Sequence, residues 1–138
     1  RCNLGAKGCK GGENMTEAQH QAMVMKWSQQ PEIRSRWPEL ALLYHIPNGG
    51  TRDAIEGRHL KQQGVKRGVP DLCLPVARGN YHALYIELKT DTGRATTEQK
   101  WWGERLNGQG NMWQVCHGWE AAVDTLKWYL SLPDETAP

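Results

Sequence analysis

Three side chains in this sequence have the types and spacing to handle a phosphate ester: Asp71, Glu87 and Lys89. Asp71 follows Pro70 at the start of one apolar run, and Glu87 and Lys89 end a second run on either side of Leu88. A strand alternates its side chains, so Glu87 and Lys89 share one face of a sheet and Leu88 takes the other. If the two runs pair as a hairpin, Asp71 and Glu87 converge at one end. Two carboxylates at one point repel unless a cation lies between them. Mg²⁺ suits such a pair, because it takes one or two carboxylates, keeps waters and accepts phosphate oxygens. The Leu88 main-chain carbonyl is then available as a third ligand. Lys89 is left to orient a water or to stabilise charge growing on the phosphate. An isolated E-x-K is usually an exposed ion pair, and an Asp after Pro is usually a turn residue. Here the apolar flanks Ile86 and Leu88, together with Pro70-Asp71 upstream, favour a site.

The elements that must hold these groups follow from periodicity. Residues 16 to 29 have a helical pattern, with Thr16 as N-cap and Ala18, Ala22 and Met25 as the stripe, widened by Val24 and Trp27. Glu17 and Gln21 share a face beside that stripe. Pro31 and Pro38 bracket a turn-rich link. Residues 41 to 46 (ALLYHI) are predicted as a strand, ended by Pro47-Asn48-Gly49-Gly50. A short polar helix over 51 to 63 closes at Gly64, and GVKRG at 64 to 68 is basic and flexible. Two strands follow, 71 to 77 and 81 to 89, joined by the turn signal Arg78-Gly79-Asn80. Thr96 or Thr97 opens another helix, with Gln99, Trp102 and Leu106 on one face and Gly108 and Gly110 as its stop. MWQVCH at 112 to 117 is the fourth strand. Trp119, Ala122, Val123, Leu126 and Leu130 form the stripe of a last helix, ended by Pro133. The order predicts an α/β fold, a small mixed four-stranded sheet flanked by helices. Its unit from 81 to 117 is long enough for a right-handed parallel crossover.

Composition bounds the rest. A length of 138 residues fits one domain, here 15–132, between a leader over 1–14 and a polar tail over 133–138. The leader has no periodicity and four glycines, which suits a flexible or appended segment with Met15 as a natural start. Seven Trp and four Tyr give the chain large apolar surfaces to bury, which argues against disorder. No run reaches the ~18 apolar residues of a bilayer span, and no apolar signal core follows the basic start. A cytoplasmic, non-secreted protein is expected. Four scattered cysteines with no C-x-x-C argue against a disulfide scaffold and against structural zinc. Reduced thiols follow. A net charge of +2 means that any nucleic-acid surface is local.

Pro70-Asp71, then Glu87-Leu88-Lys89, resembles the PD-(D/E)xK nuclease motif. Pro47-Asn48-Gly49, the run from Gly64 to Asp71, Glu87-Leu88-Lys89-Thr90 and Gln99-x-x-Trp102 narrow the resemblance to the VRR-NUC branch, over about residues 16 to 130. The resemblance implies a restriction-endonuclease-like core. It also implies Mg²⁺- or Mn²⁺-dependent phosphodiester cleavage of structured DNA. Stand-alone phage and bacterial members resemble Holliday-junction resolvases and act as homodimers. By position, Asp71 and Glu87 become the metal-binding acids, Lys89 the catalytic lysine and Gln99 the glutamine after the motif. Glu17 matches the acid on the family's first helix, which can complete the metal site. The ordinary alternatives are a helix-dipole partner for Glu17 and a capping or core-edge hydrogen bond for Gln99.

A basic segment, Arg58, Lys61, Lys66 and Arg67, precedes Asp71, and beside a phosphate-cleaving site it reads as a DNA contact. Asn48 and Arg52 are further DNA-facing candidates, or simply turn residues. His45 and His82 lack metal-ligand spacing and read as structural. Trp102 and Trp119 read as core, and Trp101 as exposed. A four-way junction needs two cuts and this chain holds one constellation, so a two-fold homodimer is expected. Trp101, Trp113, Trp128 and Tyr129 look surplus to so small a core and suit an interface. The rivals are a flap- or nick-directed nuclease, a non-catalytic DNA-binding module and a sequence-specific restriction-type nuclease. The last has no obvious room for a recognition segment.

Overall fold

The structure, a computed structural model, describes residues 14–47 and 54–134. The leader up to residue 13, the candidates Asn48 and Arg52, and residues 135–138 lie outside the described residues. Helix α1 (Glu17–Ser28) starts at Thr16, whose hydroxyl accepts from the Gln19 N–H while the Gln19 side chain accepts from the Thr16 N–H. Its buried face is His20, Val24 and Ser28, one turn apart each. That corrects the Ala18–Ala22–Met25 stripe: both alanines are exposed, and Met25 is only half-buried. A polar His and Ser on the inner face hid the true periodicity.

The link between Pro31 and Pro38 is helical, not turn-like. Pro31 stands in the first turn of α2 (Pro31–Arg36), and Pro38 opens a 3-10 turn (Pro38–Leu42). A proline's missing N–H costs nothing in a first turn, so each one begins a helix here. This 3-10 turn takes up Ala41 and Leu42, so the predicted strand over 41–46 shrinks to β1 (Tyr44–His45). Helix α3 (Ala54–Gln62) follows, and Gly64 closes it with φ +100°. Strand β2 (Leu72–Leu74) stops at Pro75, well short of residue 77, and β3 (Leu84–Lys89) starts after a bridge between Arg78 and Tyr81.

The sheet order is β1-β2-β3-β4, mixed as expected. β1 and β2 pair antiparallel, β2 and β3 pair antiparallel, and β3 pairs parallel with β4 (Met112–His117). Helix α4 (Thr97–Gly108) makes the crossover, and α5 (Trp119–Leu130) ends the domain. Thr96 caps α4 by the same reciprocal bonds with Gln99 that Thr16 makes with Gln19. One sheet face, with Leu84, Ile86, Leu88 and Cys116, packs on α1 and α5 around Val24, Ala122, Leu126 and Tyr129. The other face meets α4, where Gly103 is indispensable: a Cβ there would lie 2.2 Å from the Trp113 ring. Trp113 is thus seated flat against α4.

Tyr129 is wholly buried, and its hydroxyl donates to the Val76 carbonyl at 2.6 Å. Trp113 and Tyr129 are therefore packed within the domain, which corrects their count as surplus aromatics. Trp101 and Trp128 remain about half exposed. Cys73 and Cys116 are buried free thiols. Among the described residues no helix is long and apolar enough to cross a membrane.

Candidate active site

The antiparallel register places Leu72 opposite Ile86, so one step outward Asp71 stands opposite Glu87. The hairpin expectation holds. Asp71 is tied down through both its side chain and its backbone. Its Oδ2 accepts from the Leu88 N–H at 2.7 Å, and its carbonyl accepts from the Ile46 N–H at 2.8 Å. The same carbonyl lies 2.8 Å from His45 Nδ1; since a carbonyl only accepts, Nδ1 carries the proton. His45 is structural, as read, but its structural role is to hold Asp71. Nothing in its spacing could reveal that, because the contact spans two strands.

Pro70 has a second consequence. Continuing the register puts it opposite Leu88, and an imino acid has no N–H for the Leu88 carbonyl. The carbonyl therefore has no ladder donor across from it, at the point where the Asp71 side chain has already taken the Leu88 N–H.

Glu87 is 1% exposed and Lys89 6% exposed, on the face that meets α4. Gln99 Nε2 donates to Glu87 Oε2 at 3.1 Å, while Gln99 Oε1 accepts from the Thr96 N–H at 2.8 Å. One Gln99 amide thus caps α4 with its oxygen and reaches Glu87 with its nitrogen. Only one amide orientation satisfies both bonds. Burial pushes the Glu87 carboxyl up to about 9, helped by a hydrogen-bonding approach and negative charge from Asp71 and by the charge of Glu17; Lys89 opposes the rise. By strict distance and angle, however, Glu87 Oε1 is buried with no partner among the described residues. The two carboxyls are therefore near neighbours short of a full hydrogen bond.

Glu17 is half-exposed, and its carboxylate lies 4.0 Å from Lys89 Nζ. The structure brings it to the lysine. Among the described residues no three His, Cys, Asp or Glu side chains form a metal-holding group. A two-carboxylate site with waters needs no third acid. A hard cation would relieve the Glu87 Oε1 that lacks a partner among the described residues and the elevated Glu87 carboxyl, and could use the Leu88 carbonyl that Pro70 leaves without its ladder donor, so these residues fit one. Asp71, Glu87 and the Leu88 carbonyl would hold it.

The basic segment lies beside this centre. The loop over 65–69 is fixed to α4, with Trp102 Nε1 donating to the Arg67 carbonyl at 3.0 Å. Gly68 (φ +87°) sits so close to the Glu98 backbone that a Cβ would come within 2.7 Å. Lys66 and Arg67 are exposed, as are Arg58 and Lys61 on α3. His82 is exposed and stands over Gly110. A third histidine, His20, was not singled out from sequence: its Nδ1 accepts from the Trp119 N–H at 3.1 Å and so caps α5 from α1.

A mixed α/β sheet that ends in a carboxylate pair and a buried lysine is accompanied by a match to a nuclease-type family. The VRR-NUC domain model matches residues 15–120, and this chain belongs to the VRR-NUC family. A solved structure described as a VRR_NUC domain protein superimposes with a TM-score of 0.74 at 34% identity, covering 88% of this chain and 93% of that one. A search of curated proteins finds no match.

Proposed function

We propose that this chain is a Mg²⁺- or Mn²⁺-dependent endonuclease that cuts branched DNA, four-way junctions in particular, as a homodimer. The observation that carries the reading is the Asp71–Glu87 carboxyl pair, with its unpartnered buried oxygen, on one sheet face with Lys89. A bound divalent ion would polarise the phosphate and make an attacking water available near neutral pH. The chain's own contribution is placement. Asp71 is held by the Leu88 N–H and by β1, and Glu87 by Gln99. Lys89 presents an ammonium, oriented by Glu17, to the water and the phosphate. Lys66, Arg67, Arg58 and Lys61 supply sequence-independent phosphate contacts, which suits recognition of shape. Asn48 and Arg52 would extend that surface.

The preference for junctions rests on the family resemblance, and the dimer on the need for two cuts with one constellation per chain. Among the described residues, exposed Trp101, Trp128, Leu42 and Tyr44 offer apolar surface for an interface. The complete acid–acid–lysine set disfavours a non-catalytic module. The test is a panel of labelled four-way, flap, nicked and linear DNAs with Mg²⁺, Mn²⁺ or EDTA, run with sedimentation of the protein alone and with junction. Metal-dependent paired cuts in the four-way substrate and twice the monomer mass are expected. Cleavage of flaps alone by a strict monomer leaves a single-cut flap- or nick-directed nuclease. Lys89→Ala should lower kcat far more than it raises KM.

A further inference from the structure

A groove of about 830 Å³ runs away from the candidate site along β4, between the loop after β3 and α4. Asp91, Arg94, Lys100, Glu104, Trp113 and His117 are among the polar and aromatic groups on its walls. Its lining reaches the strand position beside the lysine. His117 is the ladder partner of Lys89, and His117 Nδ1 donates to the Thr90 carbonyl at 2.9 Å. Gly93, on the groove floor, approaches so closely that a Cβ would meet Thr90 Oγ1 at 3.2 Å and Lys89 Cβ at 3.5 Å. The loop is therefore folded tightly against the site.

The walls carry two kinds of chemistry at once. Arg94 and Lys100 are exposed cations with no ion pair among the described residues. Beside them, Asp91 on the same loop and Glu104 one turn along α4 offer acceptors, and Trp113 is an aromatic wall whose ring Gly103 seats. A ligand with an anionic backbone, N–H donors and a flat face matches all three. A nucleotide has these features, and an aromatic side chain stacks any base. The volume lies within the ~300–1,000 Å³ typical of small-molecule sites, far too small for duplex DNA.

We propose that this groove holds unpaired nucleotides of the cut strand next to the scissile phosphate, with phosphates on Arg94 and Lys100 and a base against Trp113. The inference rests on the nuclease reading for its location. It makes this domain a reader of strand opening, a property that phosphate contacts on the exposed loop over 65–69 cannot supply. Paired ends at the site would then have to fray before cleavage.

The experiment measures binding in EDTA, so that no cleavage is needed for a result. Fluorescence anisotropy compares a forked DNA, four nucleotides unpaired at the branch, with a blunt duplex of the same length. Wild type should prefer the fork. The double variant Arg94→Ala, Lys100→Ala should lose about tenfold in affinity for the fork and much less for the duplex, with its salt slope lowered by about 1.4 for two single-strand contacts. In parallel, 5-iodouracil in the unpaired stretch should crosslink to the peptide that carries Trp113 and His117. Equal losses on fork and duplex, unchanged binding to the fork, or a crosslink confined to other peptides would overturn the groove assignment. Failure to cleave with metal while fork binding and crosslink persist would instead remove the nuclease reading and leave the groove standing.

Discussion

The two faces of β3 are chemically opposite, though Glu87 and Lys89 are buried almost as deeply as the apolar residues behind them. On one face Leu84, Ile86 and Leu88 are at most 1% exposed among apolar neighbours from α1 and α5. On the other, Glu87 and Lys89 are 1% and 6% exposed beneath α4, where the Gln99 amide donates to Glu87. Burial stabilises the first face and penalises the second, because charge transferred from water needs a partner. The strand therefore carries its stability on one side and a stored electrostatic demand on the other. A divalent cation would answer that demand, which is the role the proposed function gives to Asp71 and Glu87.

The largest effect expected is on the site face. Glu87→Gln or Asp71→Asn keeps shape and removes charge, so cleavage should fall by about 10³-fold or more, with folding retained. Substantial metal-dependent cleavage by either variant would separate the carboxylates from the chemistry. On the core face the response should invert. Ile86→Ala opens a cavity and should destabilise the domain by about 2–5 kcal/mol in urea unfolding, with residual activity tracking the folded fraction. A loss of activity in fully folded Ile86→Ala would mean that the faces are not independent.

Acidity sharpens the comparison. The Glu87 carboxyl sits at about 9 in the folded protein, above its ordinary value of 4.5. Between those values the native state holds a proton that the unfolded chain has released, so metal-free stability falls as pH rises through the window and levels off above about 9. Glu87→Gln should abolish that slope and raise the metal-free Tm at pH 8.5 by on the order of 5 °C. Metal binding to the wild type should release a proton at pH 7, visible as buffer-dependent heat in calorimetry. A flat stability profile in the wild type would contradict a buried neutral Glu87. The smallest effect belongs to the exposed loop. Lys66→Ala with Arg67→Ala should weaken DNA binding similarly for all sequences and lower the salt slope by about 1.8. A loss limited to one sequence would indicate base readout instead.

Much of this architecture was legible along the chain. Thr16 and Thr96 announced their helices because capping is a local exchange of hydrogen bonds within four residues. β4 came out at its observed bounds, and alternation in β3 put Glu87 and Lys89 on one face, because a strand's period needs no distant partner. The stretch around Pro31 and Pro38 did not, since a proline marks a helix start as readily as a turn. The inner face of α1 was missed for another reason. His20 and Ser28 are polar, and their burial is licensed only by bonds to the α5 N-terminus and to the Met25 carbonyl.

By itself, then, the sequence determined which groups can do chemistry and the local elements that bear them: the acids, the lysine, the capped helices and the order of strands. Only the tertiary structure decided how those groups are set against one another. Register brought Asp71 opposite Glu87, and His45 came from a different strand to hold the Asp71 backbone. Crossover through α4 carried Gln99 to Glu87, where one amide serves both a helix cap and a buried carboxyl. The elevated Glu87 carboxyl and the groove along β4 exist only once α4 closes that face. Local periodicity depends on a residue and its near neighbours, whereas desolvation and charge proximity depend on whatever chain is folded over them, which no spacing along the sequence records.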